Sequence, residues 1–532
     1  MNTEPSVGPN STDPSTPTRG NLAGNTLSDH RGRVALALTP GELPAPAGEL
    51  LANGFRLALA AGHDDRDTAH DEERDDRRGL RAVYLFTAAD PDRRVELHVH
   101  LDRANPTLPS LAGLCFPAGR FEREMRDLFG IVPVNHPLPR RLVRHFHWPK
   151  GWYPMLADAG EPPQFGDLDG PYPFRSVEGS GVYEIPVGSV HAGMIGPGHF
   201  RFSVVGETIL NLKARLWFVH RGIEKLFQGR RPEQGIELAE RISGDTTIGH
   251  TLAFCQAIED ALGLTVLPRA RRLRAILLEL ERLHNHITDI GALCNDVGHS
   301  ILNTHAQRVR EQLLRLNDQV SGHRLLRGCI YPGGAAVAAL PDPARLAAIG
   351  TDIAEIVTLA LGNSVVLDRF TGTAILTRQQ AADLGTLGYV ARASGLNTDA
   401  RHDHPQLPPP LPRGPHTHTQ GDVLSRFTVR AEEITSSITL IARYLEDLDN
   451  ADLPQSASLR PTRSGVGIVE GWRGTITHRV ELAADGTLSR VKIVDPSFFN
   501  WPALPVALAG TIVPDFPLAN KSFNLSYAGN DL

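Results

Sequence analysis

Residues 271–293 carry apolar side chains at Leu273, Ile276, Leu277, Leu280, Leu283, Ile287 and Ile290. This i, i+3, i+4, i+7 spacing puts one apolar stripe along a long helix, which then needs a partner surface over its whole length. The same periodicity over residues 236–262, 306–320, 343–361 and 424–448 supplies the partners, so a bundle of long packed helices is expected. No stretch approaches the roughly eighteen apolar residues of a membrane span. The best late run, 503–513, is interrupted by Pro505 and Gly510. A protein of this kind works at a membrane only if other chains hold it there.

The first part of the chain has a different character. Residues 33–38, 83–86 and 94–101 read as strands, the last alternating with period two, and residues 48–61 read as a helix between them. This predicts an α+β organisation: a disordered tail over 1–30, a small α/β domain over 31–150, a linker over 151–176, and a mainly helical domain over 177–532. The tail is rich in Ser, Thr, Pro and Asn and has no secretion-signal pattern. The linker is richest in Pro, Gly and Asp over 157–173, and the mixed-charge run 63–78 reads as a solvated loop. Strand signals return at 465–470, 475–482 and 488–494, with a turn at Asp485-Gly486, predicting a terminal β-hairpin that brings the Asp495 segment back to the bundle.

With 532 residues, 41% hydrophobic content and a net charge of −6, the composition is that of a multidomain soluble protein and gives no sign of a nucleic-acid partner. The four cysteines, Cys115, Cys255, Cys294 and Cys329, contain no C-x-x-C pair, so they are expected as buried apolar fillers in a reducing compartment, with no iron-sulfur or zinc site. The histidines of Arg401-His-Asp-His404 and His416-Thr-His418 suit either a surface loop or a divalent-metal site. His284 and His286 lie about 200° apart on a helix and cannot share a metal; His286 suits a helix end or an interface. No Gly-rich dinucleotide fingerprint follows a strand, so an NADH site belongs on other chains.

Two sets of motifs go further. Phe121-Glu-Arg-Glu-Met-Arg-Asp-Leu-Phe-Gly-Ile131 and His136-Pro-Leu-Pro-Arg-Arg141 are, as residues, an amphipathic charged turn and a loop suited to an interface or a salt-bridge cluster. Their order resembles the small hydrophilic subunit of respiratory complex I. From residue 177 onward, Gly196-Pro-Gly-His199, His220-Arg-Gly-Ile-Glu-Lys225, Glu279-x-x-Arg282 with His286, Gly322-His-Arg324, Asp368-x-x-x-Gly372 and Arg392-Ala-Ser-Gly395 resemble the complex I catalytic subunit, which shares its fold with nickel-iron hydrogenase large subunits. Both modules in one chain look most like the large subunit of membrane-bound hydrogenases of the formate-hydrogenlyase type.

That hydrogenase family holds its metals with Arg-x-Cys-Gly-x-Cys followed by a histidine, and with Asp-Pro-Cys-x-x-Cys. Here the matching segments are Glu240-Arg-Ile-Ser-Gly-Asp-Thr-Thr-Ile-Gly-His250 and Asp495-Pro-Ser-Phe-Phe-Asn500, so Ser243, Thr246, Ser497 and Asn500 stand where the cysteines would be. Hydroxyls and a carboxamide replace soft thiolates poorly. The resemblance thus implies a hydrogenase-like scaffold without nickel and iron.

Complex I also has a tyrosine at the quinone headgroup, matched here by Gly244, and a histidine, matched by His199. The resemblance implies His199 as headgroup donor, Glu224 and Asp368 as a charged relay, Arg324 as an electrostatic stabiliser, and His250 close to the site. As residues alone, Glu224 equally suits an ion pair with Arg241 or Arg221, and Asp368 a buried pair with Arg369 lining the same cavity.

The expected protein is a peripheral subunit on the cytoplasmic face of the cell membrane. It would bind no cofactor of its own and form one wall of a quinone or acceptor cavity, coupling electron transfer to proton translocation. Its partners would be an iron-sulfur subunit of the complex I type, which carries the clusters, and complex I-type membrane subunits, including antiporter-like chains. The alternatives are an active hydrogenase large subunit and a non-catalytic scaffold of an ion-translocating complex.

Overall fold

The computed structural model describes residues 25–30, 33–68, 79–166, 169–190, 195–407, 414–449 and 461–532. Strand Arg33–Leu38 falls where expected and lies parallel to Arg93–Leu101 in a five-stranded sheet. Asn25–His30 pairs antiparallel with it, so the end of the expected tail is an edge strand; residues 1–24 lie outside the described residues.

The expected helix over 48–61 is instead a helix, Pro44–Ala52, followed by a strand, Arg56–Asp64. Asn53-Gly54 ends the helix, with Gly54 in the left-handed region at φ +80. The strand is buried on both faces and has no alternation to read. Beyond it, the charged run begins as a 3-10 turn, Asp65–Thr68, and residues 69–78 lie outside the described residues.

The charged motif expected as a turn is a helix, Phe116–Phe129, with Pro117 in its first turn and Gly130 as a left-handed cap. Its charges point into the protein. Lys492 meets Glu124 at 2.7 Å, Arg120 donates to the carbonyl of Phe498, and Arg123 donates to the carbonyl of Arg140 at 2.7 Å. The interface and salt-bridge role that these charges suit in the sequence is thus what they perform, with Lys492–Glu124 and Arg120–Phe498 tying the two halves of the chain together.

A three-stranded sheet, Ser464–Gly471, Gly474–Leu482 and Leu488–Val494, forms the other side of that seam. Glu96 of the first sheet meets Arg479 at 3.0 Å and Arg33 at 3.2 Å, and Arg81 meets Glu481 at 2.9 Å. On its other face lies helix Thr247–Leu262, close enough that a Cβ at Gly465 or Gly467 would sit 2.0 or 1.9 Å from the carbonyl oxygens of Ala257 and Ala253. Only glycine permits that approach.

One hydrophobic core runs from Leu36 through Phe121 and Phe202 to Tyr527. The expected linker is tied down, with Asp169 meeting Arg144 at 2.7 Å and Lys150 at 3.0 Å, although residues 167–168 lie outside the described residues.

Helices Pro268–Asp296, Ser300–Ser321, Pro343–Leu361 and Val423–Glu446 form the expected bundle. The pattern over 236–262 is not one helix. It breaks into Pro232–Ala239 and Thr247–Leu262, and the segment 240–246 between them carries the site. Cys255, Cys294 and Cys329 are buried and Cys115 is half-buried, all as free thiols. No described helix is long and apolar enough to cross a membrane.

Candidate functional site

The C-terminus closes the site. Ser526 stands between the two motif segments: its hydroxyl lies 2.8 Å from that of Ser243, and its backbone N–H donates to the Ser497 hydroxyl at 2.9 Å. Thr246 donates to Asp245 Oδ1 at 3.1 Å and accepts from Trp472 Nε1 at 3.2 Å. Asn500 clamps Leu387, accepting from its N–H at 2.8 Å and donating to its carbonyl at 3.1 Å. The four positions are therefore neutral, hard and already hydrogen-bonded within the protein. Such a donor set does not fit a nickel-iron centre.

Beside them opens a cavity of about 610 Å³ lined by Gly244, Asp245, Arg473, Lys521, Asn524 and Tyr527, with Phe200 and Phe516 on its apolar side. Arg473 grips Asp245 with both terminal nitrogens, at 2.7 and 2.6 Å, and its Nε donates to the carbonyl of Asn524 at 2.6 Å. Its guanidinium also lies 3.9 Å from the ring of Trp472. Burial opposes the charge on Asp245, but Arg473 outweighs it and holds the carboxyl well below its usual range. The side chain of Asn524 passes the contact inward to Asp289 at 2.6 Å, which meets Arg430 at 3.0 Å.

Behind this wall is a buried row of three groups. His250 Nε2 lies 3.0 Å from Asp495 Oδ2, and His250 Nδ1 lies 3.0 Å from His478 Nε2. Burial, and then His250, push His478 well below the ordinary imidazole range; burial also acts to raise Asp495, but His250, Arg473 and Ser497 together outweigh it and lower the carboxyl. The row sets a carboxylate and two imidazoles in one continuous hydrogen-bonded line. Nearby, Glu281 accepts from the backbone N–H groups of Ile248 and Gly249 at 2.6 and 3.0 Å, and burial pushes its carboxyl up to about 8.

Of the residues expected at the site, only His250 lies in this array. His199 begins strand His199–Val205, and alternation along the strand turns it away from the face on which Phe200 lines the cavity. Its Nδ1 lies 3.0 Å from the carbonyl of Gly188 and its ring packs on Phe174. Glu224 pairs with neither Arg241 nor Arg221. It meets Arg490 at 2.8 Å and Lys492 at 3.1 Å and accepts from Ile493 N–H, two residues before Asp495. Burial opposes its charge, but Arg490 and Lys492 hold it below the ordinary range; Glu124, which shares Lys492, is pushed up by burial.

Asp368 is exposed and makes no buried pair with Arg369, which instead meets Asp515 at 2.5 Å. Arg324 is exposed and pairs with Glu311 at 2.6 Å. His286 lies mid-helix and fully buried, 2.7 Å from Glu433, and not at a helix end or surface.

Among the described residues the four histidines of the tract do not gather into one site, although His416 and His418 both approach Glu432, at 3.5 and 3.1 Å. His404 is buried against Asp92 at 2.8 Å, while residues 408–413 lie outside the described residues. Among the described residues, His63, Asp65 and Glu481 could converge on a cation, but Arg81 already pairs with Asp65 at 2.8 Å and Glu481 at 2.9 Å. The residues missed from the sequence are Arg473, Asn524 and Ser526. Arg473 gave one signal, a basic residue beside Gly474 at a hairpin tip, and Asp245 stood in plain view between two replaced cysteine positions.

Fold and site together define a hydrogenase-type subunit fused to complex I-type modules. The family "Respiratory-chain NADH dehydrogenase, 30 Kd subunit" matches residues 54–162, "Nickel-dependent hydrogenase" matches 221–294, and "Respiratory-chain NADH dehydrogenase, 49 Kd subunit" matches 296–463. Formate hydrogenlyase subunit 5 of Escherichia coli is 31% identical over 90% of this chain and 85% of its own length. Hydrogenase-4 component G of the same organism is 34% identical over 77% and 73%. The NADH-quinone oxidoreductase C/D protein of Bacteroides thetaiotaomicron is 28% identical over 75% and 80%. The chain belongs to the family of formate hydrogenlyase subunit 5 and hydrogenase-4 component G. Its fold is shared with a chain of the membrane-bound sulfane sulfur reductase, an archaeal respiratory membrane complex, at a TM-score of 0.59 and 22% identity, covering 66% of this chain and 98% of that one.

Proposed function

We propose that this chain is the acceptor-site subunit of a membrane-bound, complex I-like and hydrogenase-like respiratory complex, and that it works without a nickel-iron centre. The observation that carries this reading is the bidentate Arg473–Asp245 pair on the cavity wall, where the two motif segments meet. A quinone or similar acceptor takes up two electrons and two protons. The electrons come from iron-sulfur clusters on a partner subunit. This chain supplies positive charge from Arg473 and Lys521 to the reduced headgroup, and the hydrogen-bonded Asp495–His250–His478 row lies behind the wall as a relay for protons. The partner subunits hold the chain at the cytoplasmic face of the membrane.

The test is quinone reduction by the assembled complex carrying Arg473→Gln or Lys521→Gln. Losing a charge-assisted hydrogen bond made in the transition state costs about 1.5–3 kcal/mol, so turnover should fall by roughly tenfold or more. Assembly should persist in Lys521→Gln, whereas Arg473→Gln also breaks the pair with Asp245 and is compared at equal complex content. Wild-type turnover in both variants would overturn the reading and leave the chain a scaffold.

A further inference from the structure

Trp501 packs against Phe200 and Tyr527 of the acceptor cavity and also lines a second cavity, of about 270 Å³, whose walls include Arg120, Arg123, Arg215, Tyr172 and Trp217. The three arginines are only 8%, 8% and 4% exposed. A buried guanidinium is normally paired with a carboxylate, because its charge is costly to remove from water. Here no carboxylate oxygen among the described residues lies within ion-pairing distance of any of the three.

Their N–H groups are satisfied by neutral oxygens instead. Arg120 donates to the Phe498 carbonyl and, at 3.0 Å, to Asn530 Oδ1; Arg123 donates to the carbonyls of Arg140 and Arg141 at 2.7 and 2.9 Å. Arg215 donates to the carbonyls of Leu142 and Arg144. Rings brace the cations, with Tyr172 at 4.6 Å from the Arg215 guanidinium and Phe498 at 4.4 Å from that of Arg120. The hydrogen bonds are met, but no carboxylate closes on the charges: Glu124 and Asp531 act on Arg120, and Asp127 on Arg215, only from a distance.

The nearby carboxylates face elsewhere. Asp127 accepts from the backbone N–H groups of Leu142, Val143 and Arg144, Asp531 from that of Val219, and Glu122 from Ser110 and the N–H of Leu111. Glu124 is taken by Lys492. His136 donates to the carbonyl of Gly119 and accepts from Leu138 N–H, so it is neutral. Tyr172 accepts from Arg123 at 3.3 Å, which leaves its own proton to donate. The want of a counter-ion also shows in the titration of the arginines: burial, followed for Arg120 by its neighbour Arg123, pulls Arg120 down to about 9, and burial pulls Arg215 down to about 10. Trp217 holds its place on the wall with a left-handed backbone, φ +68, a conformation a bulky residue keeps only when its surroundings enforce it.

We propose that this cavity binds a phosphoryl group, with Arg120, Arg123 and Arg215 around its oxygens, Tyr172 donating a hydrogen bond, and Trp501, Pro502 and Pro505 against an organic remainder. A phosphoryl dianion supplies the missing negative charge and offers several acceptor oxygens to converging guanidinium groups. The arginines are enclosed by this chain alone, so a small ligand suits the site better than an acidic segment of a partner. The phosphoryl group belongs either to a soluble phosphomonoester or to a phospholipid headgroup.

The test is equilibrium dialysis of the purified complex, prepared in chloride buffer, against inorganic phosphate and glycerol phosphate, alongside flotation with vesicles of phosphatidic acid or phosphatidylcholine. Saturable binding at a single site per chain is expected, with glycerol phosphate preferred over inorganic phosphate. Selective flotation with phosphatidic acid would mark the lipid as the source, and its absence the soluble ester. Arg123→Gln should weaken binding by roughly tenfold or more, the loss expected for one charged hydrogen-bonding partner. Ala112→Leu, which narrows the cavity from a wall position other than the arginines, should also weaken binding in a folded protein and guards against misfolding of the arginine variant. No saturable binding of either phosphate, or equal binding in wild type and both variants, would overturn the proposal.

Discussion

Arg473 and Asp245 lie 228 residues apart in sequence, yet their side chains meet through two parallel hydrogen bonds of 2.7 and 2.6 Å. The pair joins the tip of the terminal hairpin to the loop between helices Pro232–Ala239 and Thr247–Leu262, and Asp245 also accepts from Ser243 and Thr246 at two of the replaced cysteine positions. A guanidinium–carboxylate pair with a Trp472 ring against it is a rigid polar wall, and it sits where a metal-binding relative would need soft ligands.

Restoring cysteines singly should therefore cost stability. Asn500→Cys removes both hydrogen bonds to Leu387 and leaves its buried N–H and carbonyl unpaired. We expect a loss of about 2–6 kcal/mol, from about 1–3 kcal/mol for each of the two orphaned buried groups, measured by denaturant unfolding. Ser497→Cys should cost less, because the Ser497 hydroxyl accepts only the Ser526 N–H. Equal losses would show that the Leu387 clamp is unimportant.

Elemental analysis of the purified complex should find no nickel. The ligand positions are two serines, a threonine and an asparagine, all engaged in hydrogen bonds. A stoichiometric nickel content would refute this.

Glu224→Gln should behave as the loss of a structural ion pair. The substitution leaves Arg490 and Lys492 buried with Glu124 as their remaining carboxylate partner. Breaking a buried pair from one side costs about 3–5 kcal/mol, and ionisation of Glu124 should recover part of it. Thermal unfolding should show a lowered Tm. A variant with unchanged Tm and reduced turnover would instead restore Glu224 to a relay role.

Glu281 sets a pH dependence. Its carboxyl is raised from 4.5 to about 8 by burial, so the folded chain keeps a proton that the unfolded chain has lost. Its contribution to stability is full below about pH 4.5 and declines as pH rises towards 8. Glu281→Gln has no proton to lose, so its Tm relative to wild type should climb between pH 5 and 8. A constant difference across that window would show that Glu281 is ionised in the native protein.

Features governed by near neighbours were legible in the chain alone. The apolar stripe of Leu273 to Ile290 named the Pro268–Asp296 helix, and the alternation of residues 94–101 named the Arg93–Leu101 strand, because these periods record a single buried face. The order of the motifs also identified the family. Where both faces are buried, the local signal fails: strand Arg56–Asp64 read as helix, and helix Phe116–Phe129 read as a charged turn, although the interface role of its charges was legible. The site lay beyond local reading for a different reason. Its geometry consists of pairs such as Arg473 with Asp245, Ser526 with Ser243, and His250 with Asp495, each more than two hundred residues apart. No local period encodes such a pair, and the same is true of the turn of His199 away from the cavity. Which side chains meet there follows from the packing of the terminal sheet between the N-terminal sheet and the helices.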